Sequence, residues 1–396
     1  MKKALRFSTR GFSLIELMMA LALGLLVTGA AVSLYSNGMD ATWVVQQRAE
    51  MQQDLRAAEN MMLKDVSLAG AGLSQGPPGE IIAVPSGLGV PVYGCSGAGG
   101  CLPGGGIAYP CVGAPCLPTM YPLMPGFQRG IIPPGSVTRS DIITVVYTDT
   151  TLALNCYTAP AMTVAGTTLT FTAPTVPLPG GCVLPPGLAY PQALNNTVNG
   201  LQIGDIVMLN AGGNWAIGEV TSVNPPNPGN AAPAPGASAY AIGFANGDTL
   251  NLNQAGQPNA LITIAGGANA QAWRIFVITY YLANQVDVFG NTTTILYRQV
   301  NGQPAVPLVD YIANMQFTYD TYNSSGTLLA ATGDGGEFTA NPNIPPTEIR
   351  KVNIMHLTIH GQLYGAKSQL MATQGFQSFD VQTSISTRNM SFSNRY

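Results

Sequence analysis

The chain carries little charge. Only 9% of its 396 residues are Asp, Glu, Lys or Arg, whereas soluble domains contain roughly 25%. The 16 basic residues do not exceed the 19 acidic ones. Because proteins that bind nucleic acids depend on clustered basic side chains, we expect no nucleic acid partner.

Candidate metal and catalytic residues are also scarce. His356 and His360 are the only histidines. They lie in the strand-like stretch KVNIMHLTIHG, where residues four apart are separated by about 13 Å and cannot share a metal ion. Asp334 and Glu337, in TGDGGEF, are too few carboxylates for a calcium loop. With neither a GxSxG elbow nor a P-loop lysine, the sequence predicts no metal, no cofactor and no enzyme. A membrane-anchored enzyme is the alternative.

Proline is absent from the first 76 residues of a chain that contains 30 prolines, so a long uninterrupted helix can begin there. Residues 14–35 supply about 22 largely apolar positions, or ~33 Å of helix, which is enough to cross a bilayer. Four basic residues precede this run: Lys2, Lys3, Arg6 and Arg10. Since basic flanks remain in the cytoplasm, the remainder of the chain is expected outside it.

The same helix is predicted to continue beyond the membrane as an amphipathic segment. Its apolar residues recur at steps of four and seven: Val44, Met51, Leu55, Met62 and Val66. Charged residues lie between them: Arg48, Glu50, Asp54, Arg56 and Lys64. Gly70 and Gly72 predict the end of the helix, giving a helical region at 12–72. Its apolar face needs a sheet to pack against.

Glu16 is the one charged residue between Gly11 and Met39. A carboxylate at the centre of a membrane helix costs about 2.5–3.5 kcal/mol, and less near its end. A secretory signal peptide cleaved near VTGAA, at residues 27–31, is the alternative to an anchor. Glu16 argues against it, because an acid in such a segment indicates a function and a cationic partner.

The stretch RGFSLIELMMALALGLL, residues 10–26, resembles the signal of type IV prepilins and of type II secretion pseudopilins. Gly11 matches the residue before the cut, Phe12 the new N-terminus and Glu16 the fifth mature residue. The resemblance implies that prepilin peptidase removes the leader 1–11 and methylates Phe12. Glu16 would then pair with the amine of a neighbouring subunit and set the axial register.

A segment rich in glycine and proline, 73–140, is predicted as a loop insertion. Residues 76–136 contain 15 glycines and 12 prolines. The chain has six cysteines, four of them in this segment: Cys95, Cys101, Cys111, Cys116, Cys156 and Cys182. Without CxxC pairs or nearby histidines, disulfides are favoured over zinc. Cys156–Cys182 is one expected bridge. Cys95–Cys101 with Cys111–Cys116 is the simplest pairing of the other four, although four cysteines allow three connectivities. The alternative to an ordered, cross-linked insertion is a flexible linker.

Residues 141–396 are predicted to form a β-rich domain. The expected strands are 141–148, 151–158, 167–173, 204–210, 215–223, 272–282, 293–300, 311–320, 349–361 and 376–386. Residues 141–148 and 151–158 are expected to form one hairpin, and 204–210 and 215–223 another. Five tyrosines are interpreted as sheet packing: Tyr280, Tyr281, Tyr297, Tyr311 and Tyr319. The predicted fold class is α+β, with a long N-terminal helix packed on an antiparallel sheet domain.

SDIITVVY, GDIVML and much of residues 272–360 resemble the PilW family of minor pilins. The resemblance implies a pilin-like protein of the bacterial inner membrane, with its C-terminal domain in the periplasm, that later enters the pilus fibre or tip. Implied partners are prepilin peptidase, the major pilin, other minor pilins and the inner-membrane assembly platform. A minor pseudopilin of type II secretion and a tip adhesin or ligand-binding module are the alternatives.

Overall fold

A computed structural model describes most of the chain. The described residues are 11–73, 82–83, 119–120, 122–126, 128, 130–163, 165–178, 180, 182, 184, 186–211, 214–224, 234–236, 238–248, 252–253, 271–286, 290, 292–322, 325–328, 349–362, 376–387 and 389–390. They fall into two compact units. The first comprises residues 1–53 with 362–377, and the second comprises residues 54–361 with 378–396.

One long helix, α1, extends from Leu14 to Ser67. Over residues 14–35 it is largely apolar on all sides. Every large apolar side chain of residues 14–35 is exposed by at least 58%, which separates this helix from the buried core helix of a soluble protein. Its length and apolar composition are sufficient to cross a membrane.

Residues 54–67 of α1 belong to the second unit and pack there through one face. Leu55, Ala58, Met62 and Val66, at steps of three, four and four, are exposed by 2% or less. Gly70 and Gly72 have positive φ angles of 76° and 72°, a conformation that glycine adopts without a steric cost. The predicted α+β class and its amphipathic half-helix are confirmed.

The second unit contains a large antiparallel sheet, of which seven strands are described. They are β3 (Leu123–Gly126), β4 (Ile142–Thr148), β7 (Ile206–Ala211), β8 (Asn214–Glu219), β11 (Gln271–Val286), β12 (Thr292–Val300) and β13 (Val306–Val309). The 16-residue β11 is central and pairs with β4, β7 and β12. β3 shows that the end of the 73–140 segment contributes to this sheet.

Three smaller antiparallel sheets accompany it within the described residues. Their strands are β1 (Ile82–Ala83) and β2 (Thr119–Met120); β5 (Thr158–Met162), β6 (Thr168–Thr172), β9 (Ser222–Asn224) and β10 (Ser238–Gly243); and β14 (Ile312–Thr321), β15 (Ile349–Gln362) and β16 (Phe376–Ser386). Buried side chains from β5, β6, β7, β8 and β10, including Leu169, Phe171, Val207, Leu209 and Ile242, form one hydrophobic cluster.

The predicted hairpin of 141–148 with 151–158 is wrong. β4 pairs instead with β3 and β11, and Leu154–Cys156 forms a short 3₁₀ helix. Leu152 and Leu154 are buried in the hydrophobic cluster, so apolar packing directs this segment away from the edge of β4. The second predicted hairpin, β7 with β8, is confirmed.

Cys156 and Cys182 form the predicted disulfide, across a sequence separation of 26 residues. The other four cysteines lie outside the described residues. In the chain-entropy model, closing a loop of this size stabilises the fold by about 3–4 kcal/mol. We expect the double substitution Cys156→Ala and Cys182→Ala to lower the free energy of unfolding by that amount under oxidising conditions. Denaturant unfolding of the wild type and of the double variant, each with and without reductant, measures this difference in the free energy of unfolding. A reductant that destabilises both proteins equally would contradict the assignment to this bridge.

Candidate functional site

The residues around the predicted cleavage position lie just outside the helix. Gly11, Phe12 and Ser13 are not helical, and α1 begins at Leu14. The side chain of Phe12 is 81% exposed. A protease binds an extended and accessible segment more readily than a helix, whose backbone groups are already hydrogen-bonded. The Gly11–Phe12 bond is therefore positioned where a peptidase can reach it.

Ser13 and Glu16 define the start of the helix. The N–H of Leu17 donates to the carbonyl of Ser13 at 3.2 Å, the first helical hydrogen bond. The N–H of Ser13 donates to Glu16 Oε2 at 3.4 Å. This is the backbone half of a capping box, in which an acid at the third helical position satisfies the N-cap amide. Ser13 was not among the predicted site residues, although its S-x-x-E spacing was visible in the sequence.

The Glu16 carboxylate thus points back toward its own N-terminus. Its acceptor atom contacts the residue next to Phe12, and Phe12 would carry the new amine after cleavage. A negative charge in the first turn is also favoured by the helix dipole.

A second group of polar residues, the helix–sheet anchor, joins the last turn of α1 to the main sheet. It consists of Asp65, Tyr147, Tyr280 and Arg298. Asp65 is only 2% exposed. Its Oδ2 accepts from the hydroxyl of Tyr280 at 2.6 Å and from Arg298 Nε at 2.8 Å, and its Oδ1 accepts from the hydroxyl of Tyr147 at 3.3 Å.

In the helix–sheet anchor the negative charge of Asp65 is balanced, and the two tyrosine hydroxyls remain hydrogen-bond donors. Burial, followed by the negative charge of Asp65, raises the pKa of Tyr147 and of Tyr280 above the ordinary tyrosine range. Both hydroxyls therefore stay protonated and donate. Arg298 supplies the compensating positive charge that a buried carboxylate requires. The amphipathic pattern did not predict this role for Asp65, although an acid beside Val66 on the apolar face was a visible anomaly.

A second buried ionic cluster lies at the other end of β11. Arg274 donates through Nε to Asp149 Oδ2 at 2.7 Å, and its Nη1 lies 3.3 Å from Asp205 Oδ2. The same Nη1 donates to the carbonyl of Gly200 at 2.7 Å. Asp149 follows β4, whereas Gly200 and Asp205 lie in the connection that precedes β7, so this arginine joins two irregular connections of the sheet.

Asp141 joins two of the sheets through backbone hydrogen bonds. Its two carboxylate oxygens accept from the N–H groups of Gln128, at 2.7 Å, and of Phe317 in β14, at 2.8 Å. The residue is only 2% exposed, and this burial raises the pKa of its carboxyl group to about 7. Asp141 is thus a buried acid whose charge changes near neutral pH.

The raised pKa of Asp141 predicts a pH-dependent stability. The folded protein holds this proton more tightly than the unfolded chain, so the contribution is present below pH 4 and is lost as the pH rises toward 7. The slope approaches about 1.4 kcal/mol per pH unit. We expect Asp141→Asn, which cannot ionise, to remove this slope. Denaturant unfolding at pH 4, 5, 6 and 7 measures it, and equal slopes in both proteins would contradict the assignment.

The remaining predicted residues are distributed as follows. Tyr280 and Tyr319 are buried to 1% exposure or less, and Tyr281 stacks on Tyr297 with ring centroids 5.7 Å apart, so these tyrosines pack the sheets. His356 contacts Asp380 across β15 and β16, with Nδ1 and Oδ2 3.1 Å apart. Asp334, Glu337 and the side chain of His360 lie outside the described residues.

Comparison with known proteins identifies the N-terminal segment. Residues 6–32 match the family model of the prokaryotic N-terminal methylation motif. No curated protein and no solved structure matches the chain. The matched residues include Gly11, Phe12 and Glu16. The motif together with the exposed apolar helix fits anchoring in a membrane before assembly. It supports a type IV pilin-like or pseudopilin-like protein that is processed by prepilin peptidase and assembled with pilus machinery.

Proposed function

We propose that this protein is a minor type IV pilin that takes part in pilus assembly or initiation, in a tip complex with other minor pilins. The observation that carries the proposal is the methylation motif at the start of a 54-residue helix. Such proteins are structural subunits. The resemblance of the later strands to the PilW family supports a minor pilin over the other assemblies that use the same signal.

In this proposal the helix anchors the precursor in the inner membrane, with the second unit in the periplasm. Prepilin peptidase cuts between Gly11 and Phe12 and methylates the new amine. The apolar half of α1 then leaves the bilayer and packs in the fibre core. The large second unit favours a tip position, because a bulky subunit repeats poorly along a filament.

Processing is tested by the mass of the mature N-terminal peptide. We expect a peptide that begins with N-methylated Phe12 and lacks residues 1–11. Gly11→Val, which puts a β-branched side chain next to the scissile bond, should leave the full-length precursor. A mature N-terminus near Ala30 would indicate an ordinary secretory signal and would overturn the pilin proposal.

The assembly in which the mature protein works is tested by its partners. We expect other minor pilins and the major pilin to co-purify with it from sheared fibres. Recovery with type II secretion pseudopilins, with correct cleavage at Gly11, would replace the minor pilin proposal by the pseudopilin alternative.

A further inference from the structure

An apolar stripe on α1 continues past the membrane-length run. Val32, Tyr35, Met39 and Trp43 follow one another at steps of three, four and four residues, so they share one face of the helix. Their side chains are exposed by 67, 70, 44 and 57%. Tyr35 and Trp43 are the two aromatic residues of α1, and both stand at the end of this stripe.

The axial positions of these two aromatic residues match the layers of a bilayer. From Leu14 to Tyr35 the helix rises about 32 Å, close to the ~30 Å of the hydrocarbon core. The Cα of Trp43 lies about 12 Å further along. Helical side chains lean back over the preceding turn, toward the N-terminus. This places the indole roughly 7 Å beyond the hydrocarbon, within the headgroup layer of about 5–8 Å on each side.

The residues around the stripe are of types that are compatible with the lipid headgroup layer. Ser36, Asn37, Asp40 and Thr42 are polar, and Arg48 is the first basic residue after the apolar run. Tyrosine and tryptophan combine an apolar ring with one hydrogen-bonding group, which is why they concentrate at membrane–water interfaces. An exposed tyrosine followed two turns later by an exposed tryptophan therefore fits a lipid headgroup layer.

We propose that Tyr35 and Trp43 form an aromatic anchor in the headgroup layer at the outer end of the span, and that this anchor sets the depth of the helix before assembly. Residues 36–43 then lie among the headgroups, and Gln46 and Gln47 are the first residues in water. The inference depends on membrane anchoring of α1, and it holds for a minor pilin and for a pseudopilin alike.

The test uses the full chain in phosphatidylethanolamine–phosphatidylglycerol vesicles and the quenching of tryptophan fluorescence. Nitroxide labels are placed on the lipids either near the glycerol or near the chain end, and iodide serves as the aqueous quencher. The variant Trp43→Phe retains the other two tryptophans, Trp215 and Trp273, and its fluorescence therefore measures their contribution. The difference between wild type and Trp43→Phe reports on Trp43 alone.

Two further variants in the Trp43→Phe background calibrate depth. Leu26→Trp marks the middle of the span, and Gln47→Trp marks a position about 6 Å beyond Trp43. We expect the shallow label to quench at least half of the Trp43 signal, the deep label to act best on Leu26→Trp, and iodide to act best on Gln47→Trp.

Three outcomes would overturn the proposal of an aromatic anchor. If iodide but no lipid label quenches Trp43 while the deep label quenches Leu26→Trp, the helix spans the bilayer without this anchor. If lipid quenching of Trp43 disappears as the protein-to-lipid ratio rises, the stripe packs against a second copy instead. If no lipid label quenches Leu26→Trp, membrane anchoring itself fails, and the anchor fails with it.

Discussion

Replacing Asp65 by asparagine should destabilise the second unit by about 3–5 kcal/mol, the usual cost of removing one partner from a buried ion pair. The substitution keeps the shape of the side chain but leaves Arg298 without its anion. The amide that replaces the carboxylate would also offer one acceptor atom where Asp65 now receives three hydrogen bonds, from Tyr147, Tyr280 and Arg298. Urea unfolding of the full chain in mild detergent, followed by tryptophan fluorescence, measures the loss.

Asp54→Asn provides the matched control, since Asp54 is an exposed acid on the same helix. We expect it to change the free energy of unfolding by less than about 0.5 kcal/mol. Adding Arg298→Met to Asp65→Asn should recover part of the loss, because it removes the uncompensated buried charge. A small effect of Asp65→Asn, or equal effects of the Asp65 and Asp54 substitutions, would show that the helix–sheet anchor contributes little to the free energy of unfolding.

The second large effect is expected at Glu16. We expect Glu16→Ala to be cleaved normally, because the Gly11–Phe12 bond lies outside the helix, and yet to enter fibres at least tenfold less than wild type. The reason is the cationic amine of Phe12. Without a carboxylate partner it would be buried among apolar helices, and an unpaired buried charge costs several kcal/mol. Cleavage is read from the mass of the N-terminal peptide, and incorporation from immunoblots of sheared fibres.

Glu16→Gln separates the two contacts that this carboxylate can make. Glutamine can still accept from the Ser13 N–H as a capping residue, but it carries no charge. If charge pairing is the assembly role, Glu16→Gln fails as Glu16→Ala does. If capping is sufficient, only Glu16→Ala fails. Glu50→Gln is the control, since Glu50 is an exposed acid of the same helix and contacts Gln46 at 3.0 Å. Normal fibres from both Glu16 variants would contradict any assembly role.

The N-terminal methylation motif and the helix could be predicted from the sequence because their signals are local. The run without proline, the apolar span and the glycines at 70 and 72 each act on residues within a few turns of themselves. Short β-branched and aromatic stretches between turns likewise predicted the positions of six strands: β4, β11, β12, β14, β15 and β16. The disulfide Cys156–Cys182 could be proposed because only these two cysteines lie outside the glycine- and proline-rich segment.

The pairing of the strands and the roles of the buried charges were decided by the tertiary structure. β4 could have paired with the adjacent segment 151–158, but it lies beside β11, and Thr144 meets Thr279 across 135 residues of sequence. Asp65 reaches Tyr280 and Arg298 over separations of 215 and 233 residues. The entropy of closing a loop rises only slowly with its length, so distant partners compete nearly as well as near ones. Which partner prevails depends on the apolar surface and hydrogen bonds that the whole fold satisfies together, and no local pattern contains that information.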